Sequence, residues 1–281
     1  MTPADHAVLA CCLEATAAPK PGNVDRNRDH PDMRLEHLLA GAHGAAPGLR
    51  RAANGAPIGP ALEEAIAGMA GVAGRNTHVG SLLLLVPLVR AANDQLTPET
   101  CSALVSETTV EDAVAFYRAF DHVSVAVEDP PDGIPDVRAG SGAADELNER
   151  GLTLYDVIEA AAHRDDVARE WTTGFERTFS VATALEERHG PLERDITAVY
   201  LEALADRPDS LVRTRHGDAV AAEVCERASR LDTAGGLEAV HAEVEAFADE
   251  LVERSINPGT TADIVVAGLF VALERDWVEH E

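Results

Sequence analysis

The chain has 281 residues, of which 49 are acidic and 23 are lysine or arginine, for a formal net charge of −26. Such a surface repels a phosphate backbone, which argues against nucleic acid as a partner. Hydrophobic residues make up 46% of the chain and the acid is spread along it, so we expect the acid to cover a folded surface.

Lysine is almost missing from the sequence, because Lys20 is the only one and arginine supplies every other basic side chain. Together with the acidic excess, this pattern is typical of cytoplasmic proteins of extreme halophiles, in which high salt screens the repulsion. The remaining lysine lies within the run APKPGNVDR, which indicates a function for it.

The four cysteines lie at positions 11, 12, 101 and 225 and form no CxxC pair or zinc-like spacing, so we expect them to be reduced. The longest apolar run, Leu82 to Val89, is shorter than the ~20 residues that span a bilayer. No charged segment followed by an apolar one opens the chain. We therefore expect a cytoplasmic protein with no membrane partner.

Helical spacing of apolar residues and few aromatics predict an all-α protein of about eleven helices, with no strand and a single domain over residues 1–281. In chain order, the predicted helices are 5–16, one from Leu35, one from Pro60 to about Val72, a buried one from Thr77 to Ala92 bent at Pro87, helices starting at Thr109 and Thr153, 154–204 with a break at 189–191, 211–230, 237–254 and 259–275. The predicted connections are Pro19 to Pro31, residues 47–60, Glu128 to Gly142 and Gly235-Gly236. The acidic pair Asp165-Asp166 indicates a solvated face or a helix start.

The first segment that could carry chemistry is Glu14 with Pro19-Lys-Pro-Gly-Asn-Val-Asp-Arg26, followed by His30 and Asp32. Two prolines and Gly22 stiffen this turn. Its cations suit phosphate, and its carboxylates suit a metal ion or a proton. An ordinary polar connection between two helices explains the segment about equally well.

The second segment, Gly74-Arg-Asn-Thr-His-Val-Gly80, leads into the apolar helix. Free N–H groups at a helix start, capped by Asn76 or Thr77, form a natural anion site. The helix dipole would keep His78 neutral, as a base or ligand. A capped structural helix with a satisfied histidine is an equally good explanation.

The third segment, Asn257-Pro-Gly-Thr-Thr-Ala-Asp263, also opens an apolar helix at a glycine turn. Thr260 and Thr261 suit a cap or a phosphate contact, and Asp263 suits the helix dipole or a metal ion. A capping role explains Asp263 as well as a metal does.

Taken together, EATAAPKPGNVDR with HPD, GRNTHVG and NPGTTAD resemble the signature stretches of the triphosphoribosyl-dephospho-CoA synthase family, and the resemblance spans most of the chain. It implies a helical transferase that moves the triphosphoribosyl group of ATP onto dephospho-CoA and releases adenine. The product would be the precursor of a prosthetic group for an acyl carrier subunit.

The resemblance also implies site residues, and magnesium on the triphosphate. Substrate binding is expected of Lys20, Gly22, Arg26, Asn76, Thr77, Gly259 and Thr260. Magnesium binding is expected of Asp25, Asp32 and Asp263, and proton transfer of His78, Glu14 or Asp25. The family usually has an apolar residue at position 75 and a basic one at position 79, whereas this chain has Arg75 and Val79. These departures concern the identity of the acceptor.

Two other functions remain open on the sequence. One is a divergent enzyme that breaks the adenine–ribose bond of a nucleotide and passes the sugar to another acceptor or to water. The other is a helical protein that binds a nucleotide without turning it over.

Overall fold

The computed structural model describes residues 1–125, 127, 129–233, 237 and 239–277. All regular elements in these ranges are helical, apart from two isolated β-bridges. The α-helices are α1 (Pro3–Thr16), α2 (Leu35–Ala53), α3 (Ile58–Ala73), α4 (Val79–Ala91), α5 (Pro98–Ser106), α6 (Val110–Ala119), α7 (Ala144–Arg150), α8 (Leu154–Ala161), α9 (Asp166–Thr172), α10 (Glu176–Glu186), α11 (Leu192–Asp206), α12 (Ser210–His216), α13 (Asp218–Asp232), α14 (His241–Glu253) and α15 (Gly259–Glu274). A 3-10 helix spans Val137–Ala143.

The all-α prediction is confirmed, but the described residues hold fifteen α-helices and not about eleven. The predicted stretches 154–204 and 211–230 are divided further. Asp165 caps the start of α9, and Gly174 and Phe175 take positive φ values of 69° and 61° before α10. Gly217, with φ 89°, separates α12 from α13. These breaks lack proline, so apolar periodicity did not reveal them.

The predicted loop at 47–60 is wrong over most of its length, because α2 continues through Pro47 to Ala53 and only residues 54–57 connect it to α3. Its glycines serve helix packing. A Cβ on Gly44 would lie 2.4 Å from the carbonyl oxygen of Gly68 in α3, and one on Gly48 would lie 2.2 Å from the Ala65 nitrogen. The α3 helix begins at Ile58, which places Pro60 third and not first. Glycines that indicate a loop in sequence here allow two backbones to touch.

Helices α4 and α15 lie at the centre of the fold and contact each other. Residues from Ser81 to Val89 and from Ile264 to Leu273 are buried without interruption. The Trp171 indole N–H donates to the Leu83 carbonyl over 3.1 Å. Helices that are apolar all round need this enclosure, and the predicted buried helix is confirmed, with its start at Val79.

One hydrophobic cluster runs from Ala4 in α1 to Leu273 in α15. The single domain over 1–281 stays a prediction. No helix in the described ranges is long and apolar enough to cross a membrane.

Several local predictions can be compared directly. Thr109 and Thr153 form the expected capping boxes, and the four cysteines are free thiols. The predicted loop from Glu128 begins outside the described residues, and the 3-10 helix occupies its later part. The Gly235-Gly236 break also lies outside them, and the next helix begins at His241 and not at 237.

Candidate functional site

A polar cavity of about 320 Å³ lies between the starts of α4 and α15. All three sequence segments contribute to it. Its polar and charged wall consists of Glu14, Asn23, Asp32, Arg75, Asn76, Thr77, His78, Ser81, Ser124, Arg215, Asn257 and Asp263, with Gly80 and Gly259 among the smaller residues. Most residues that sequence analysis singled out therefore meet around one cavity.

The first and third segments meet at Gly22, whose φ is 73°. A Cβ there would lie 2.4 Å from the Ile256 carbonyl oxygen, so only glycine allows this approach. Beside it, the Asn23 amide donates to Oδ1 of Asn257 over 3.1 Å. Gly22 thus allows the two segments to pack together, but it does not line the cavity.

The start of α4 carries the second segment. Oδ1 of Asn76 accepts the N–H of Val79, the first residue of the helix, over 3.1 Å. Nδ1 of His78 lies 2.8 Å from Oγ1 of Thr77, and the His78 backbone N–H points at Sδ of Met69. Burial, with the charge of Lys20 nearby, lowers the pKa of His78 to about 4, so the imidazole is neutral at physiological pH.

Asp263 of α15 contacts the first turn of α4. The Ser81 hydroxyl donates to its Oδ1 over 2.5 Å, and a Cβ on Gly80 would lie 2.1 Å from its Oδ2. Burial raises the pKa of Asp263 to about 7, and Glu14 and Asp209 add to the rise. Gly80 allows the close approach, and the carboxyl lies where a helix N-terminus favours negative charge.

Glu14 and Lys20 form a buried ion pair, with 2.5 Å between Nζ and Oε1. Lys20 is 0% exposed and does not line the cavity, whereas Glu14 does. Burial lowers the pKa of Lys20 and raises that of Glu14, and their mutual attraction opposes both shifts. Lys20 therefore holds the Glu14 carboxylate in place without reaching the cavity itself.

Asp25 and Arg26 lie away from the cavity wall. Asp25 accepts N–H groups from Lys20, Asn27 and Arg28, which hold the turn together. Arg26 donates to the Thr16 carbonyl over 2.7 Å and pairs with Glu193 on the surface. The predicted catalytic, metal and phosphate roles of these two residues stay predictions, and neither residue lines the polar cavity.

Asp209 was missed by the sequence analysis, although it joins α12 to α15. Its Oδ1 caps α12, and its Oδ2 accepts both the backbone N–H and the hydroxyl of Thr261 at 2.7 and 2.8 Å. Thr260 lies 3.0 Å from the Ser210 hydroxyl and faces a second cavity. A capping Asp followed by serine after Pro208 was the available signal.

Two arginines on the cavity wall were also missed as ligands. Arg75 donates to the backbone carbonyl of Asp32, whose side chain is 74% exposed at the rim. Arg215 in α12 is exposed and forms no ion pair or hydrogen bond with any described residue. No local pattern distinguishes Arg215 from the other arginines of the chain.

A second, apolar cavity of about 270 Å³ adjoins the polar cavity. The two share the wall formed by Asn76, Val79, Gly80, Leu211, Arg215 and Asp263, which we call the shared wall. The rest of the apolar cavity includes Phe116 and Phe120, whose ring centroids are 5.0 Å apart, and the side chains of Ile134, Val157 and Ile158.

The described residues contain no group of three or more His, Cys, Asp or Glu placed to hold a metal ion. Asp32 and Asp263 both line the polar cavity, and Asp25 does not. Magnesium commonly takes one or two carboxylates and completes its shell with water and substrate phosphates. The residues present fit such an ion carried by a phosphate chain, and not a closed protein cage.

The described residues form an all-helical fold in which a polar cavity adjoins an apolar one, the kind of concave surface that small-molecule substrates occupy. The family model of ATP:dephospho-CoA triphosphoribosyl transferases matches residues 1–281, and the chain belongs to this family. The family name indicates a transferase that moves the triphosphoribosyl group of ATP to dephospho-CoA. The family predicted from the three segments is thereby confirmed.

The chain is also similar to one curated protein and to one solved structure. The chain is 27% identical over 299 residues to a probable 2-(5''-triphosphoribosyl)-3'-dephosphocoenzyme-A synthase of Lactiplantibacillus plantarum, over 97% of this chain and 96% of that protein. The crystal structure of a protein from Archaeoglobus fulgidus, described as a proposed triphosphoribosyl-dephospho-CoA synthase, superposes with a TM-score of 0.68 and 24% identity, over 85% of this chain and 99% of that one. The second likeness supports the fold.

Proposed function

We propose that the polar cavity binds ATP and that transfer to dephospho-CoA takes place at the shared wall. The bond between adenine and C1 of the ATP ribose breaks, and C1 bonds to a ribose hydroxyl oxygen of dephospho-CoA. The hydroxyl proton ends on the departing adenine. The observation that carries this proposal is the convergence of three distant segments on one cavity of the matching family's fold.

The charge of the cavity supports a magnesium-bound triphosphate. Glu14, Asp32 and Asp263 line it, and they would repel a bare triphosphate. A Mg²⁺ ion on the phosphates, held by Asp32 and Asp263, would turn this repulsion into attraction. Bound Mg²⁺ neutralises charge on the phosphates.

An arginine and amides supply the remaining phosphate contacts in this proposal. Arg75 lines the cavity, and its guanidinium group suits phosphate oxygens. Asn76 and Thr77 lie at the start of α4 with the helix N–H groups behind them. We propose Lys20 as a positioning residue for Glu14, since it does not reach the cavity.

Glu14 and Asp263 are suited to stabilise positive charge on the ribose as the adenine bond breaks. Lys20 pairs with the Glu14 carboxylate and favours its charged form, which opposes the rise in pKa that burial causes. A preorganised negative charge beside an oxocarbenium-like carbon lowers the barrier without reorganisation during the reaction. Ser81 fixes the position of the Asp263 carboxyl.

His78 is the proposed proton carrier. Its neutral ring lines the cavity, and Thr77 holds its Nδ1. With a pKa of about 4 the imidazole is a weak base, but a proton that it takes from the hydroxyl passes readily to the more basic departing adenine. We expect His78→Gln to lower kcat by roughly 10²-fold or more, in the range of general acid–base effects, with ATP affinity little changed.

The test is adenine release from ATP with magnesium and molar potassium chloride, with and without dephospho-CoA, followed by the mass of the acceptor. Release that requires dephospho-CoA and adds a triphosphoribosyl group supports the proposal. Release without the acceptor would favour the divergent enzyme. ATP binding with no adenine formed by folded protein would overturn catalysis and favour the binding protein.

A further inference from the structure

The triphosphate needs only the polar cavity, so the adjoining apolar cavity can hold another part of the substrates. Its wall draws on six helices, α4, α6, α8, α9, α12 and α15, and on residues between α6 and α7 such as Val125, Pro131 and Ile134. A group the size of one nucleobase would touch about 6–12 residues, as a buried aromatic side chain does. More residues than that line the apolar cavity, which favours a group longer than a nucleobase.

The parts of dephospho-CoA follow one another in the same order as the polar, charged and apolar surfaces of the two cavities. Dephospho-CoA carries a ribose, a diphosphate and then a long pantetheine arm with aliphatic carbons. The shared wall holds Asp263 on one side, and Arg215 lies in the same wall with no described partner for its charge. Beyond it are the apolar residues Phe116, Phe120 and Ile158.

We propose that the apolar cavity holds the pantetheine arm of dephospho-CoA and that Arg215 binds the acceptor's diphosphate at the shared wall. The acceptor ribose then reaches Asp263, where the ribose of ATP is exposed from the polar cavity. This inference rests on the proposed function for the identity of the acceptor. It adds which cavity serves which substrate and which arginine selects the acceptor.

An unpaired arginine at this place is unusual for this chain. The chain has more than twice as many acidic as basic side chains, and most of its arginines take part in ion pairs or hydrogen bonds. Arg215 points instead into the space that both cavities share. A guanidinium held free of carboxylates is ready for phosphate oxygens.

The first test uses Ala161→Phe, which places a ring in the apolar cavity, with Ala160→Phe as the control one residue earlier in α8 and outside the wall. We expect Ala161→Phe to raise KM for dephospho-CoA by about tenfold or more and to leave KM for ATP within about twofold. The control should change neither. A rise in KM for ATP alone would overturn the assignment and place adenine in this cavity.

The second test uses Arg215→Ala, with Arg230→Ala in α13 as the control outside both cavities. Arg215→Ala should weaken the binding of dephospho-CoA by about tenfold and make it less dependent on salt, because one phosphate contact has been removed. The same loss for ATP and none for dephospho-CoA would assign Arg215 to the triphosphate and overturn this part.

A third test needs no catalysis and separates this inference from the proposed function. Phosphopantetheine, which has the arm and a phosphate but no base, should bind the wild-type protein by calorimetry and compete with dephospho-CoA but not with ATP. Ala161→Phe should abolish its binding, whereas Ala160→Phe should not. If phosphopantetheine binds but the protein releases no adenine from ATP with dephospho-CoA, the proposed transfer is wrong and the cavity assignment stands. If phosphopantetheine does not bind the wild-type protein, the cavity assignment is wrong.

Discussion

Nζ of Lys20 lies 2.5 Å from Oε1 of Glu14, and both side chains are buried. The ammonium also lies 5.8 Å from the centroid of the Tyr200 ring. Lys20→Met would leave Glu14 as an uncompensated buried charge. We expect it to lower the free energy of unfolding by roughly 3–5 kcal/mol, measured by chemical denaturation in molar potassium chloride.

The double variant Lys20→Met/Glu14→Gln tests the cause of that loss. It removes both charges, so most of the stability should return. If Lys20→Met alone is as stable as the wild-type protein, the buried pair does not exist in solution. If Lys20→Met is stable but has lost ATP affinity, the phosphate role predicted from the sequence is favoured.

Gly22 joins the first segment to the third through a contact that a side chain would block. Gly22→Ala adds both a positive-φ penalty and a Cβ 2.4 Å from the Ile256 carbonyl oxygen. Gly55→Ala is the matched control, because Gly55 has a φ of 87° but no atom within 4 Å of its Cβ position. We expect a loss of about 1 kcal/mol at Gly55 and clearly more at Gly22, measured by thermal unfolding. Equal losses would contradict the proposed backbone contact.

Asp263 should make stability depend on pH. Its pKa is raised to about 7 from 3.8, so the folded protein keeps a proton that the unfolded chain releases at lower pH. The free energy of unfolding should therefore fall as pH rises from about 4 to about 7. Asp263→Asn cannot titrate, and it should gain a few kcal/mol relative to wild type between these pH values.

The measurement is denaturation of both proteins, without magnesium, at several pH values in that range. Only the difference between variant and wild type is used, because other buried carboxyls such as Asp209 also titrate. A difference that stays constant with pH would show that Asp263 ionises freely in the folded state.

The formal charge of −26 should make the fold sensitive to salt. Raising potassium chloride from about 0.1 M to about 2 M should raise Tm at pH 7, because screening weakens repulsion between surface carboxylates. The same increase near the pI of 4.6 should have a smaller effect, since many carboxylates are then neutral. A Tm that is independent of salt at pH 7 would count against the halophile interpretation.

Local sequence signals predicted those features that depend on neighbouring residues. The capping patterns at Thr109 and Thr153 mark helix starts because side chain and backbone are only three residues apart. Glycines were harder to interpret. Gly48 lies in the loop predicted at 47–60, yet the opposing α3 backbone requires a glycine there inside a helix.

The candidate site was predicted in part for the same reason. Asn76, Thr77, His78, Gly259 and Asp263 lie at helix starts, where local pattern is strongest, and all of them line the polar cavity. The ionisable run around Lys20 was prominent in the sequence, but its residues take separate positions in the fold. Some of its charges form a buried pair or hold the turn, and only Glu14 and Asp32 among its charged residues reach the wall.

The sequence by itself determined the helical class, the family and the three segments that carry the site, because periodicity, caps and motif letters are local. Only the tertiary structure decided which charges meet. Ser81 and Asp263 are 182 positions apart, and their hydrogen bond exists because α4 and α15 bury their apolar surfaces against each other. Helical periodicity places a side chain on one face, but the packing of the whole chain determines whether that face meets the cavity, a partner charge or water.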